Sequence, residues 1–362
     1  MSSRLARCFK SLEAADFLRH LDQKATPDIQ LLTNGQAYAE QLQQQWLNLR
    51  PLSANLGQLT YNDVTAQHRF SFVQAPQFKK QLQQLHQLYP QKFKCPTLLK
   101  HQRSLNYNSQ SNSIFKHSLP VTQLITDYFV EAQRGLEHFY NVQRESKIWW
   151  MRYSSNPSRY SIVPYITEQQ EGCQAIDIKA NFGHEAGVTV EQLSLVCPPA
   201  TADLSLPDAR SGQMQQPAII RSIIELEPAS CTLLLDGCDH NREASSLLLS
   251  RAMAPYQCGV AARQYDNQNS ADLHDLCAHV VDVLQRAKIR LHQSYTITQD
   301  EEQLLQQLQQ FDGLGVPYTL LLDETEALST GLLQLRSRDT QLAETVHISD
   351  LPNYLLNIFR NY

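Results

Sequence analysis

Glycine is scarce: 12 in 362 residues, about 3% where globular chains average ~7%. Glycine-cradled phosphate loops are therefore few. The pattern G-x-x-x-x-G-K-[ST] is absent, and Gly313-Leu314-Gly315 lacks the third glycine and the helix of a dinucleotide fingerprint. Neither a G-x-S-x-G elbow nor an H-E-x-x-H helix occurs. The eight cysteines include no C-x-x-C pair, which removes zinc ribbons and dithiol redox motifs and leaves buried, reduced thiols in a reducing compartment. His274 and His279 lie five apart on a helical stretch, too far round to share a zinc ion. Cys238-Asp239-His240 sets a thiol beside an imidazole, but catalytic partners meet through the fold and sequence adjacency is no dyad. No run approaches the ~18 uncharged apolar residues of a membrane span. Excess positive charge is missing too: a net charge of -5 excludes a surface that coats nucleic acid throughout, though a local basic patch remains open.

What is present is an ordinary globular composition, 42% hydrophobic and 19% charged, long enough for two domains. The opening MSSRLARCFKSL carries Arg4, Arg7 and Lys10 with no acid, and Leu5, Phe9 and Leu12 share a helical face. Two readings fit: a mitochondrial targeting segment within residues 1–20, or a plain N-terminal helix continuing through Leu18 and Leu21. Glutamine runs at 41–45, 81–87 and 303–310 carry leucines at helical spacing and read as solvated helix faces. Residues 101–118 and 201–217 read as polar surface loops, with a helix over Val121–Arg144 between them. From 147 the texture is strand after strand: KIWWMRYSS, YSIVPYI, CQAIDIKANF, VTVEQLSLVC, AIIRSIIELE and CTLLLD, which implies an antiparallel sheet. After a helix at 242–252, strand and helix alternate: strand 256–262, helix 270–287, strand 289–291, helix 301–311, strands 317–322 and 331–336, and helix 351–359. That order describes a small α/β domain.

An antiparallel sheet domain followed by a small α/β domain is the build of class II aminoacyl-tRNA synthetases with a C-terminal anticodon-binding domain. The closing segment is more specific. Gly331-Leu332-Leu333-Gln334-Leu335-Arg336-Ser337-Arg338-Asp339-Thr340 with His347-Ile348-Ser349, and Trp149-Trp150 followed by Ser155-Asn156-Pro157-Ser158, resemble the accessory subunits of mitochondrial DNA polymerase gamma. The match covers about the last 215 residues, and residues 1–145 match only loosely.

The resemblance implies a fold of both α/β and α+β character. A class II synthetase-like antiparallel sheet domain would span 1–252, and an anticodon-binding-like domain with a mixed five-stranded sheet would span 253–362. It implies a non-catalytic subunit without a cofactor, in the mitochondrial matrix nucleoid, that binds the polymerase catalytic subunit and raises its hold on primer-template or duplex DNA. A tRNA-binding synthetase-like protein is the alternative. A working class II synthetase carries an Arg-x-Glu that clamps the ATP α-phosphate, and none occurs here. Its Gly-x-Gly-x-x-Arg corresponds to Gly237-Cys238-Asp239-His240-Asn241-Arg242 after CTLLLD, where Asp239 sets a Cβ and a negative charge against the nucleotide.

The candidate partner-binding residues are Arg336, Arg338, Asp339 and His347. Arg336 and Arg338, two apart on a strand, point to one face, and two guanidinium forks there can grip carboxylates or phosphates. Equally, they can close an internal ion pair with Asp339 or Asp323. Lys79, Lys80, Lys92, Lys94 and Arg103, with Lys100 among them, form the most basic stretch, which is either a DNA-facing surface or a solvated helix and loop. On a strand, Trp149 and Trp150 would face opposite ways, one into the core and one outward. Vertebrate members of the resembled family dimerise through a long helical insertion ahead of the Trp-Trp segment. Residues 101–147 hold no room for one, which favours a monomer paired one to one with its catalytic subunit, and nothing suggests a membrane partner.

Overall fold

A computed structural model describes residues 3–20, 28–49, 59–60, 69–88, 94–105, 116–117, 120–165, 172–183, 187–240, 246–265, 270–292 and 295–360. In chain order the first part runs α1 (Ser3–Ala14), β1 (Leu18–His20), β2 (Asp28–Leu31), α2 (Thr33–Asn48), β3 (Leu59–Thr60), α3 (Pro76–Leu88), β4 (Thr97–Leu105), β5 (Lys116–His117), β6 (Val121–Glu131), α4 (Gly135–Tyr153), β7 (Tyr160–Pro164), β8 (Cys173–Ala180), β9 (Val188–Val196), β10 (Leu206–Pro207), β11 (Met214–Gln215), β12 (Pro217–Glu225) and α5 (Leu226–His240). The remainder is β13 (Cys258–Arg263), α6 (Ser270–Arg286), β14 (Thr296–Thr298), α7 (Glu301–Gly313), β15 (Tyr318–Asp323), α8 (Glu324–Thr330), β16 (Leu332–Ser337), β17 (Ala343–His347) and α9 (Leu351–Arg360).

The first part is organised by a seven-stranded sheet of order β3-β4-β6-β12-β9-β8-β7, antiparallel except where β3 meets β4. Its middle strand shows why these residues make a strand. Pro217–Glu225 is rich in isoleucine and buried along nearly its whole length, because both faces of the sheet are covered. Ala218, Ile220 and Ile224 enter the large core with Phe139 and Trp150 of α4 and Leu233–Leu235 of α5, whereas Ile219 packs on the opposite side with Phe72, Phe78 and Leu82. The second sheet has order β14-β13-β15-β16-β17, parallel over the first three strands and antiparallel beyond, so it is mixed and five-stranded as expected. One face of it packs on Leu273, Cys277, Val280 and Leu284 of α6 and Leu351 and Leu355 of α9. The other face holds α7, whose Phe311 joins the first core, and a Cβ on Gly259 would come within 2.8 Å of that ring. Only glycine lets β13 and α7 approach this closely.

Several elements differ from the expectation. Val121–Arg144 is not one helix: Val121–Glu131 is β6, and the helix begins at Gly135. KIWWMRYSS is not a strand but the C-terminal part of α4, so Trp149 and Trp150 are both buried, at 5% and 0% exposure. The two rings meet edge to face at 4.8 Å, and the Trp150 indole N–H donates to Glu191 at 2.8 Å. CTLLLD lies inside α5, residues 101–105 belong to β4, and Ile289–Leu291 contributes a single bridge to Cys258. Residues 246–252 are extended and turn rather than helix; 242–245 of that expected helix, like 106–115 and 118 of the expected loop, lie outside the described residues. Helix α1 ends at Ala14, and Leu18 already belongs to a strand.

Candidate functional site

The Arg-Ser-Arg-Asp-Thr segment ends β16, and both of its arginines turn inward. Arg336 makes a bidentate pair with Asp312 of α7, at 2.9 and 2.8 Å, with both side chains nearly buried. Arg338 follows as the chain turns and is 4% exposed. Its guanidinium donates to the Gly315 carbonyl at 2.7 Å, to Leu249 at 2.9 Å and to Leu247 at 3.1 Å, and closes on the Asp339 carboxylate at 2.6 Å. Asp339 also accepts from Arg251 at 3.0 Å, and Arg251 lies 5.1 Å from the Tyr318 ring centre. Burial pushes the Asp339 carboxyl up, but the Arg338 and Arg251 guanidiniums outweigh it and hold it below its ordinary value. Five N–H donors in one rigid fork suit this task, since one side chain satisfies carbonyls from two separate segments. The pair expected to grip a partner therefore holds the 246–253 segment and the α7–β15 turn against the end of β16.

The internal ion pair weighed from the sequence is present for Arg338 with Asp339, but Arg336 takes Asp312. Asp323 instead caps α8, accepting from the Thr325 and Glu326 amides, and receives the Tyr265 hydroxyl. His347 differs from the arginines: it ends the edge strand β17, exposed, with Nδ1 2.9 Å from the Ser349 hydroxyl.

The basic stretch does not form one surface. Lys79 pairs with Asp203 at 2.7 Å on the rim of a cleft of about 250 Å³ floored by Phe129, Leu204 and Leu206. Lys80 is exposed on α3 and Lys94 is half-buried, while Lys92 lies outside the described residues. Arg103, expected on that surface, is instead 2% exposed within the sheet, and its Nε donates to Gln123 at 2.6 Å. Lys100 likewise points inward, its ammonium on the carbonyls of Trp46 and Leu47 at 2.8 and 2.9 Å.

Beside Arg103 lies a charged group that sequence reasoning missed. Asp127 of β6 receives Arg221 of β12 in a fork, at 2.6 and 2.8 Å, and His101 of β4 at 2.8 Å, all three within 1% of full burial. The Arg221 guanidinium lies 3.5 Å from the Phe72 ring centre and 5.0 Å from that of Phe78, so the aromatic cap under α3 closes this face of the sheet. Burial pushes the Asp127 carboxyl up, yet Arg221 and His101 bring it down to about 2. Burial drives the His101 imidazole below its ordinary value, with Arg221 and Arg103 adding to it and Asp127 opposing. Both folded values lie under the unfolded ones. Stability is therefore expected to be full above pH 6.5, to fall as His101 takes up a proton, and to fall again below pH 3.8 as Asp127 does. Denaturant midpoints at pH 7.5 and 5.5 check the first loss, which His101→Gln, still able to donate to Asp127, should flatten.

Sequence reasoning also missed how the Ser-Ser-Asn-Pro-Ser-Arg loop is held. Buried Asp236 of α5 accepts the Ser154 hydroxyl and the Ser155 amide, each at 2.7 Å, and pairs with Arg159 at 2.5 Å. Asp239 pairs with both Arg159 and Arg4 of α1. The strand-to-helix passage of this sheet falls at Glu225–Leu226, not at Gly237, which sits in the last turns of α5; Asn241 and Arg242 lie outside the described residues. Among the described residues no group of three or more His, Cys, Asp or Glu side chains could hold a metal ion, and no helix is long and apolar enough to cross a membrane.

The mixed five-stranded α/β unit that follows the antiparallel sheet is of the anticodon-binding kind: residues 260–358 match the anticodon binding domain family, which links the chain to class II synthetase-like proteins. The chain is 52% identical to "DNA polymerase subunit gamma-2, mitochondrial" of Drosophila melanogaster, over 99% of this chain and 100% of that protein. It is 26% identical to the Xenopus laevis protein of the same name and 24% identical to "DNA polymerase subunit gamma-2" of Bos taurus, each over 59% of this chain and under half of theirs. The chain belongs to the DNA polymerase subunit gamma-2 family.

Proposed function

We propose that this chain is the non-catalytic accessory subunit of a mitochondrial DNA polymerase, acting in the matrix nucleoid. By this reading it binds the catalytic subunit one to one as a monomer and raises its affinity for primer-template DNA and its processivity. The observation that carries the reading is identity of 52% along the whole length of a relative with that name. The mechanism is avidity: added surface slows dissociation of polymerase from DNA without touching nucleotide transfer.

Docking is assigned to the C-terminal unit, 253–362. Arg336, Arg338 and Asp339 act there as scaffold, and the outward groups near the β17 edge make the contact: His347, Leu342 at 72% exposure and Tyr354 of α9 at 37%. Lys80 and Lys94 remain the candidates for DNA. The non-catalytic reading draws support from the Glu225–Leu226 passage, where Leu226-Glu227-Pro228 offers no glycine to a nucleotide. ATP is expected to give no heat on titration, and saturable heat would revive the synthetase-like alternative.

Sedimentation of this chain mixed with the catalytic subunit is the direct test of docking. A one-to-one complex is expected. His347→Ala combined with Leu342→Asp should weaken it about tenfold, near 1.4 kcal/mol, at an unchanged thermal midpoint. Independent sedimentation of the two chains would overturn the proposal.

A further inference from the structure

All eight cysteines are free thiols, and two of them face each other across a helix pair. Helix α1 packs along α5 by its buried face, Leu5, Cys8, Phe9 and Leu12, all at or below 5% exposure. The Cys8 thiol of α1 and the Cys238 thiol of α5 are hydrogen-bond partners across this packing. One residue beyond Cys238, Asp239 holds Arg4, which lies one helical turn before Cys8, so an ion pair fixes the two helices in register beside the two sulfurs. Cys238 is only half-buried, which leaves a route for a small oxidant.

We propose that Cys8 and Cys238 form a redox modification site, an intramolecular disulfide made when hydrogen peroxide oxidises the pair, which staples α1 to α5. The Cys8 thiolate attacks a peroxide oxygen, the O–O bond breaks, and the hydroxide released takes up a proton to become water. Cys238 then gives up its proton and attacks the resulting sulfenic sulfur; the S–S bond forms and the second oxygen leaves as water. In sum two thiols and one peroxide give one disulfide and two waters, and a dithiol reductant reverses the change.

The local electrostatics assign the roles. The Cys238 hydrogen bond, with Arg4 and Arg7 adding to it, brings the Cys8 thiol below its ordinary value against burial and Asp239. The other thiols move the opposite way: burial pushes Cys277 up to about 11 and Cys95 up to about 12, and raises Cys173, Cys197, Cys231 and Cys258 as well. Cys8 is thus the nucleophile and Cys238 the resolving thiol.

The test is thiol mapping of the reduced full-length protein after graded hydrogen peroxide, by alkylation without reduction and peptide mass analysis. The expected result is one cross-linked peptide pair holding Cys8 and Cys238, 2 Da lighter than its parts, with the remaining thiols alkylated. It should vanish on dithiothreitol treatment and in Cys8→Ser, persist in Cys95→Ser, and come with a rise of about 5 °C in thermal midpoint. Oxidation of Cys8 to sulfinic or sulfonic acid without a cross-link, or pairing of any other two cysteines first, would overturn the proposal. The wild-type mapping decides this even if Cys8→Ser folds poorly.

Discussion

Arg338→Ala is expected to cost the fold about 3–5 kcal/mol, the range for removing one partner of a buried charged group. Alanine removes the guanidinium donor from the carbonyls of Leu249 and Gly315 and one of two donors from that of Leu247, and leaves Asp339 to Arg251 alone. Arg338→Lys should recover only part of this, because an ammonium cannot reach carbonyls on both segments while keeping the carboxylate. Urea denaturation measures the loss. Binding to the catalytic subunit should fall only to the extent that the C-terminal unit unfolds. A variant with an unchanged urea midpoint and no partner binding would place this guanidinium at the interface and contradict its role as an internal clamp.

Arg221→Ala carries a comparable expected loss, about 3–5 kcal/mol, for a different reason. It strips a fully buried carboxylate of its fork and opens a void against Phe72 and Phe78. Asp127→Asn should fail similarly, since Arg221 is then buried beside a neutral amide. The double variant is expected to cost no more than the worse single one, because each single change already breaks the same pair. Additive losses in that cycle would mean that Arg221 and Asp127 act independently, against the geometry.

The parts of the fold that the sequence disclosed are those whose burial is one-sided or whose ends are marked. Helix α6 shows leucine and valine on one stripe, and α7 follows an aspartate cap, so both were readable within a residue or two. Some of the misread elements were buried on every side. In α5, Cys231, Leu233, Leu234 and Leu235 are all at or below 2% exposure, so no amphipathic period separates this helix from an apolar strand. In β6 the spacing of Val121, Leu124, Ile125 and Phe129 imitates a helix, whereas the residues form a strand covered on both faces. Taking the end of α4 for a strand had a different cause: the helix is buried on one side only, with Ile148 at 51% exposure beside Trp149 and Trp150, but its last turns, read apart from the rest of the helix, are rich in aromatics that suit a strand, and one tryptophan was sent outward that belongs inside. Short elements such as α8 and β17 carry too few residues to show a period.

The functional readings divide along a similar line. The Arg-Ser-Arg-Asp-Thr and Trp-Trp matches located the family, but what those residues do depended on partners distant in the chain. Asp312 stands 24 residues from Arg336, and Leu247 stands 91 from Arg338. No local pattern announces such pairs. Hence a segment that looked like a gripping surface is a clamp, and the outward groups near it are His347, from the end of the same motif, and Leu342, which belongs to none.

The most direct measurement of the central claim is processive DNA synthesis by the mitochondrial catalytic subunit across a salt series, with and without this chain. Phosphate contacts weaken steeply as salt rises, so a subunit that tightens the hold on primer-template should lengthen products and carry activity to higher salt. That is the predicted result. Products of equal length at every salt, with and without the chain, would contradict the account and leave the resemblance as ancestry alone.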